Sequence, residues 1–271
     1  MLLALAQTNP IIGKIEKNLE QIISIVSEGT KKGAELIVFP EAALTGYCYE
    51  SKAEAFTYIP EDIAKKASDT ISSVCGNSIV LLGLLEKEQN HLYNNALVIS
   101  SKGILGRYSK SHLPFLGADR FVTRGMTLDT NIFTTPYGKI GILICYELRF
   151  PEVARVLSLK GVEIVCDMAN LPVGGESNIA FIGRSRALEN KIFLALCNRC
   201  GVERNVQFIG KSQIVNPSGD IINSANEKEE IIYSNIDLSL ARNKSIINKP
   251  KEYEMHLFRD RRPDLYCAIT D

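Results

Sequence analysis

Residues 139–167 hold a pattern that few folds accommodate. The apolar run Lys139-Ile-Gly-Ile-Leu-Ile-Cys145 reads as a buried strand, and Tyr146-Glu147-Leu148-Arg149-Phe150 follows at once as a sharp turn. Pro151 then suits the first position of a helix, Glu152 complements the positive end of its dipole, and Val153, Ala154, Val156 and Leu157 form one apolar face. Gly161 ends that helix, and residues 162–167 make a second strand. Strand, crossover helix and strand together call for a parallel pair in an α/β sheet. The turn has a chemical meaning too. It aims the Cys145 thiol out of a strand end and sets the next backbone N–H beside it, which a nucleophile needs and a structural cysteine does not.

Similar signals alternate through the rest of the chain. Residues 2–7 and 35–39 read as strands, and residues 14–32 carry Leu19, Ile22, Ile23 and Val26 at helical spacing. Residues 53–75 are helical with a break at Pro60, and residues 78–86, 92–100 and 104–108 are β segments. Further on, a helix over 178–191 precedes a strand over 192–197. Two strands, 211–215 and 221–224, flank the turn Asn216-Pro217-Ser218-Gly219-Asp220, and a last strand covers 230–236. The expectation is one α/β domain with mixed sheets over residues 1–240. A polar tail over 241–271 follows, whose segment 259–266 is placed to contact a partner subunit.

Composition narrows the function. Lys plus Arg equals Asp plus Glu at 31 each, so no net field favours nucleic acid or an anionic membrane. No apolar run approaches the roughly 20 residues that span a bilayer. The first residues, apolar for six positions without a basic region, read as a strand and not as a signal peptide. Seven cysteines, an odd number scattered singly, argue against a disulfide framework and for a reducing, cytoplasmic setting. Cys197-Asn198-Arg199-Cys200 has the spacing of a redox or zinc pair. No second pair accompanies it, and His91, His112 and His256 lack metal-ligand spacing, so two small residues near a strand end are expected. No glycine-rich phosphate loop or metal cluster occurs, so nothing in these motifs calls for a metal or a cofactor.

A free thiol has a pKa of about 8.5 and reacts as the thiolate, so Cys145 needs a base. His112 is one option, giving a Cys–His pair. Glu41 is another, standing where Leu36-Ile-Val-Phe-Pro40 opens into Ala42-Ala-Leu-Thr-Gly46-Tyr47. Lys110, in Tyr108-Ser-Lys110-Ser-His112-Leu-Pro114, also lies just past a strand end. Sites of α/β proteins gather at such ends.

Phe39-Pro-Glu41, Lys110-Ser-His-Leu-Pro114 and Cys145-Tyr-Glu-Leu-Arg149-Phe-Pro-Glu152 resemble, in order, the three signature blocks of the nitrilase, or carbon–nitrogen hydrolase, superfamily. Arg186-Ala-Leu-Glu189-Asn190, Asn198 and Gly210-Lys-Ser212-Gln-Ile-Val-Asn-Pro217-Ser-Gly219 extend the likeness, which runs from Ala4 to about Asp237. The resemblance implies a four-layer αββα sandwich of two mixed sheets flanked by helices, usually a homodimer. It implies Cys145 as nucleophile, Glu41 as base, and Lys110 with the Tyr146 backbone N–H as oxyanion donors. The family's further Glu between the Lys and Cys blocks is missing here. Residues 111–144 contain only Asp119 and Asp129 as carboxylates, and Asp119 is the natural stand-in unless it pairs with Arg120 or Arg124 in the loop.

Asn170-Leu-Pro172-Val173 looks like the family's Asn-x-Pro segment without the aromatic that often follows. Asp119, Tyr146, Arg149, Asn170 and Tyr47 are therefore expected to bind substrate. The Cys145-Tyr-Glu-x-Arg149-Phe block is similar to the ω-amidase branch, which suggests a small linear amide bearing a carboxylate held by Arg149. Arg149 bonded to Glu152 or to elbow carbonyls is the other reading. N-carbamoyl amines are the alternative substrates, and a degenerate binding or assembly module is the alternative of another class.

Overall fold

The computed structural model describes residues 1–128 and 131–269, so Asp129 lies outside the described residues. The first half of the chain supplies strands β1 (Leu2–Gln7), β2 (Leu36–Val38), β3 (Ile79–Glu88), β4 (His91–Ser100) and β5 (Gly103–Ser109). The second supplies β6 (Ile132–Thr135), β7 (Gly138–Ile144), β8 (Ile164–Ala169) and β9 (Phe193–Asn198). A hairpin of β10 (Cys200–Glu203) and β11 (Val206–Ile209) follows, then β12 (Gln213–Val215), β13 (Ile221–Ser224) and β14 (Glu230–Asn235). Beyond them lies a hairpin of β15 (Ser245–Lys249) and β16 (Tyr253–His256). The α-helices are α1 (Ile15–Lys31), α2 (Lys52–Tyr58), α3 (Ile63–Ser72), α4 (Pro151–Leu159), α5 (Gly183–Asn190) and α6 (Ser239–Arg242).

Two six-stranded sheets result, in the orders β14-β1-β2-β3-β4-β5 and β13-β12-β9-β8-β7-β6. Each is parallel at its centre, through β1, β2 and β3 or β7, β8 and β9, and antiparallel at its flanks. The strands are apolar on both faces because both faces are covered. Leu3, Leu5, Leu36, Val38, Ile79 and Leu81 pack with Ile142, Ile144 and Leu194 of the other sheet. Alternate residues Ala4, Ala6, Ile37, Val80 and Leu82 pack instead with Leu19, Ile22 and Val26 of α1 and Ala67 and Ile71 of α3. This is the expected αββα layering. Pro151 occupies the first turn of α4, and Gly161 follows it at φ +82°, as the sequence implied.

Three features go beyond the sequence reading. Strand β6 and the β10–β11 hairpin are short and mixed in polarity, so neither carries a clear period-2 signal. The tail folds back as a hairpin: Lys244 Nζ donates to the Asn190 and Lys191 carbonyls at the end of α5, and Phe258 lies beneath Arg155 of α4. The expected boundary at residue 240 falls inside α6.

Gly83 of β3 decides how closely the first sheet approaches the loop after β2. A Cβ there would lie 2.3 Å from the Pro40 carbonyl oxygen, 2.7 Å from the Ala42 nitrogen and 2.9 Å from Glu41 Cα, all backbone atoms that cannot swing aside. Gly83→Ala therefore lowers stability by about 1–3 kcal/mol, read as a lower urea midpoint at unchanged slope, and displaces Glu41.

Candidate active site

Glu41, Lys110 and Cys145 all stand just past strand ends on one rim of the sandwich. Glu41 lies three residues beyond β2, and Ala42 after it has φ +50°, so the chain turns sharply at the carboxylate. Lys110 directly follows β5; its N–H donates to the Asn94 carbonyl (2.9 Å) and its carbonyl accepts from Gly125 (2.8 Å). Asp119 sits in the 3₁₀ turn Gly117–Arg120. That turn lies against the Tyr47 ring so tightly that a Cβ on Gly117 would fall 2.2 Å from it.

Cys145 opens the 3₁₀ turn Cys145–Arg149 with φ +56°, a left-handed conformation that a non-glycine residue keeps only when its surroundings enforce it. Two buried carboxyl groups do so. Asp167 of β8 accepts the Cys145 N–H at 2.8 Å, and Glu147 Oε2 accepts the Ile144 N–H at 2.9 Å. The other oxygen of Glu147 accepts the Tyr108 hydroxyl (2.6 Å), the Ser111 N–H (2.8 Å) and the Ser111 hydroxyl (2.7 Å). One carboxylate thus ties the elbow to the segment carrying Lys110. Burial raises the Glu147 pKa, but the bonds from His112, Tyr108, Ser111 and Ile144 outweigh it and leave the pKa below its ordinary value.

Between these braces lies a charge cluster sealed from solvent. Lys110 Nζ donates to Glu41 Oε1 at 2.7 Å and to Asp119 Oδ2 at 2.6 Å. Asn94 Nδ2 donates to the same two carboxylates, and the Tyr47 hydroxyl donates to Asp119 Oδ2 at 2.9 Å. Glu41 Oε2 is left buried without a hydrogen-bond partner among the described residues. Burial pushes the Glu41 pKa up, against the pull of Lys110. Burial, joined by the charges of Glu41 and Asp167, drives the Cys145 thiol well above its ordinary range, although Lys110 and the Asn170 backbone amide oppose this. The Lys110 pKa rises as well: burial alone would lower it, but the two carboxylates outweigh burial and keep the ammonium charged.

The structure therefore brings Glu41, Lys110, Asp119 and Tyr47 into one network, with Cys145 within reach of the charges of Glu41 and Lys110. Asp119 faces Lys110, while Arg120 turns away to the Gly117 and Tyr49 carbonyls. Asn170 directly follows β8; its side chain is buried, and neither its oxygen nor its nitrogen has a partner among the described residues. Tyr146 is half-buried, edge-on to Phe150. Arg149 is exposed, and among the described residues its guanidinium bonds neither Glu152 nor an elbow carbonyl. His112 Nδ1 lies by Ser111 and Glu147 and stacks on Phe150, so it serves the elbow brace. A cavity of about 640 Å³ opens on the outer side of Tyr47, lined also by Leu116, Arg120, Arg204 and Phe208.

Asn94, Glu147, Asp167 and the Arg199–Glu203 pair were not singled out from sequence. Arg199 is fully buried, 2.8 Å from Glu203, which accepts the backbone N–H groups of Tyr47 and Cys48 and so anchors the loop after Glu41. Cys197 sits on β9 with its sulfur near the Ala6 and Val38 carbonyls, as a small packed residue. Polar residues inside otherwise apolar strands were the available signal: Asn94 in β4, Asp167 in β8.

Comparison with known proteins bears on family and fold. Residues 2–244 match the family model described as carbon-nitrogen hydrolase. A nitrilase of Pyrococcus abyssi is 36% identical over 267 residues, covering 97% of this chain and 98% of its own. An omega-amidase of Homo sapiens is 29% identical over 264 residues, covering 93% and 91%. A carbon-nitrogen hydrolase from Helicobacter pylori G27 superposes with TM-score 0.85 at 24% identity, covering 100% and 98%. An amidase from Nesterenkonia AN1 does so with TM-score 0.84 at 20% identity, covering 99% and 97%.

Replacing Glu147 by Gln sets an N–H₂ group against donors that need an acceptor. Glu147→Gln lowers stability by about 2–3 kcal/mol at neutral pH, measured by urea unfolding. Because the folded pKa is depressed, the native carboxylate contributes fully above its unfolded value near 4.5 and progressively less as pH falls through the folded one. The gap between wild type and variant therefore narrows in acid.

Proposed function

Since the chain belongs to the carbon-nitrogen hydrolase family, we propose that it hydrolyses a small linear amide bearing a carboxylate, releasing the acid and ammonia through a thioester on Cys145. The observation that carries this reading is the buried Glu41 with one oxygen unpartnered, near a thiol that burial keeps protonated. Such a thiol needs its proton removed during attack, and a carboxylate whose own affinity for protons is raised by burial is suited to take it.

In this mechanism the Cys145 sulfur bonds to the amide carbon while its proton passes to Glu41. The carbonyl oxygen, now negative, is held by the Tyr146 backbone N–H and Lys110. An ammonium has three N–H donors, and two of those on Lys110 already meet Glu41 and Asp119, which leaves the third for the oxyanion. The Tyr146 N–H lies in the first turn of its 3₁₀ segment, where no partner exists within the helix. Glu41 returns the proton to the nitrogen, the C–N bond breaks and ammonia leaves. Water then attacks the thioester, giving its proton to Glu41, and the acid departs as the thiolate regains that proton. Asp119 holds Lys110 in place through a side chain shorter than the family's Glu.

Two further observations bear on substrate. The Asn170 side-chain amide, unpartnered among the described residues, belongs to the residue whose backbone amide meets the Cys145 sulfur and suits a substrate carboxamide, and the Arg149 guanidinium, unpaired among the described residues, suits a distal carboxylate. The omega-amidase and nitrilase names of the relatives are consistent with an amide or related carbon–nitrogen bond. An amidase from Nesterenkonia sp. AN1 carries acrylamide added at its active-site cysteine.

The purified protein is expected to release ammonia from carboxylate-bearing amides more readily than from plain amides or N-carbamoyl amines, and Cys145→Ala abolishes the release. Arg149→Ala raises KM for the carboxylate-bearing amides about tenfold with little change for the others. Turnover of N-carbamoyl amines alone would move the assignment to that class. Silence across the panel would leave the binding-module reading. The same proposal includes a homodimer across the α4 face, where the tail leaves Leu159, Leu265 and Ile269 exposed beside Arg155. Leu265→Asp then shifts the protein to a monomer in sedimentation.

A further inference from the structure

The cluster at Lys110 contains one cation and two carboxylates, none exposed to solvent. Two buried carboxylates beside a single positive charge favour keeping one proton between them, since like charges in a dry site resist ionising together. A proton resting on Glu41 would occupy the base that the thiol requires. Among the described residues no second cation bonds either carboxylate, so dipoles have to serve in its place.

Asn94 is built for that task. A carboxamide nitrogen has two N–H groups, and here one meets Glu41 Oε1 at 2.7 Å and the other Asp119 Oδ1 at 2.9 Å. The side chain is 1% exposed, and the Asn94 carbonyl accepts the Lys110 N–H, so the amide is fixed to the same backbone that places the lysine. With Asn94 and Lys110 both bonded to Oε1, the oxygen left over on Glu41 is Oε2. We propose that Asn94 is a positioning residue that bridges the two carboxylates through its N–H groups, favours the ionised form of Glu41 and holds Oε2 of Glu41 free to serve the thiol. The inference rests on the reading of Glu41 as base for Cys145. It adds a residue that touches neither substrate nor sulfur, yet sets the proton state of the group that does.

Asn95 supplies an internal control. It follows Asn94 on β4 and donates to Glu86 at 2.7 Å, the same amide–carboxylate pairing outside the cluster.

The test is the pH dependence of Cys145 alkylation by iodoacetamide, followed by mass spectrometry of the Cys145 peptide, which needs no substrate. In the wild type the rate rises as Glu41 loses its proton, and Glu41→Gln flattens that limb. Asn94→Asp keeps the side-chain shape but replaces both N–H donors with an acceptor. It moves the limb upward by about one pH unit, with a rate loss of roughly tenfold on its acid side. Asn94→Ser keeps one donor and moves it less, while Asn95→Ala overlays the wild type. A limb unmoved in both Asn94 variants, with Glu41→Gln flattened, overturns the proposal and leaves Glu41 as base. The reverse order, with Asp mild and Ser severe, is what space-filling alone gives, and it overturns the proposal too. A profile unchanged in Glu41→Gln overturns both the proposal and the reading beneath it.

Discussion

A lysine ammonium without solvent contact is the constraint around which this rim of the protein is arranged. Lys110 keeps its charge because Glu41 and Asp119 lie within hydrogen-bond distance, and neither carboxylate would be tolerated in that position without it. Removing one member of such a set typically costs about 3–5 kcal/mol, because the others are left buried and unpaired. The partners arrive from separate places: the corner after β2, the end of β5 and the 3₁₀ turn at Asp119. The first sheet must therefore form with its loops before the charges can be enclosed.

The second sheet contributes the sulfur, and it does so at the cost of backbone strain. Cys145 and Ala42 both sit at positive φ, one on each side of the site, and each is fixed by groups its neighbours supply. Asp167 and Glu147 hold the cysteine corner, while the close backbone approach at Gly83 holds the glutamate corner. Glu147 also crosses between sheets, since its partners Tyr108 and Ser111 belong to the end of β5. Packing of the two sheets and assembly of the reactive groups are in this sense one event. Neither sheet alone holds both the thiol and the carboxylate assigned to it.

Much of this was legible in the sequence, and the pattern of what was not has a physical reason. Glu41 and Cys145 each follow an apolar run and Lys110 follows a β segment, and a strand end is a local signal. The β-α-β unit around α4 was marked by Pro151 and Gly161 for the same reason. Asn94 and Asp167 differ: they lie within strands, and their meaning comes from partners 53 and 22 residues away. Asp119 stood between, visible as the stand-in for the family's Glu, with a loop pair to Arg120 or Arg124 as the other reading until the turn at Gly117 fixed its direction. The short strands β6 and β11 escaped because four residues of mixed polarity carry no clear alternation, and β10 because Glu203 points inward to Arg199.

The first sheet is completed by a strand from the other end of the chain. β1 lies between β2 and β14, pairing antiparallel with β14 from Leu2–Asn235 to Gln7–Glu230. On a ribosome, β1 emerges more than two hundred residues ahead of β14, so one edge of β1 stays open while the intervening chain is made. That edge is a run of apolar residues with free N–H and C=O groups, the kind of template that recruits other nascent chains. Slowed elongation ahead of β14, or high expression without chaperones, should therefore turn this protein toward aggregates even though its finished fold leaves β1 no unpaired edge.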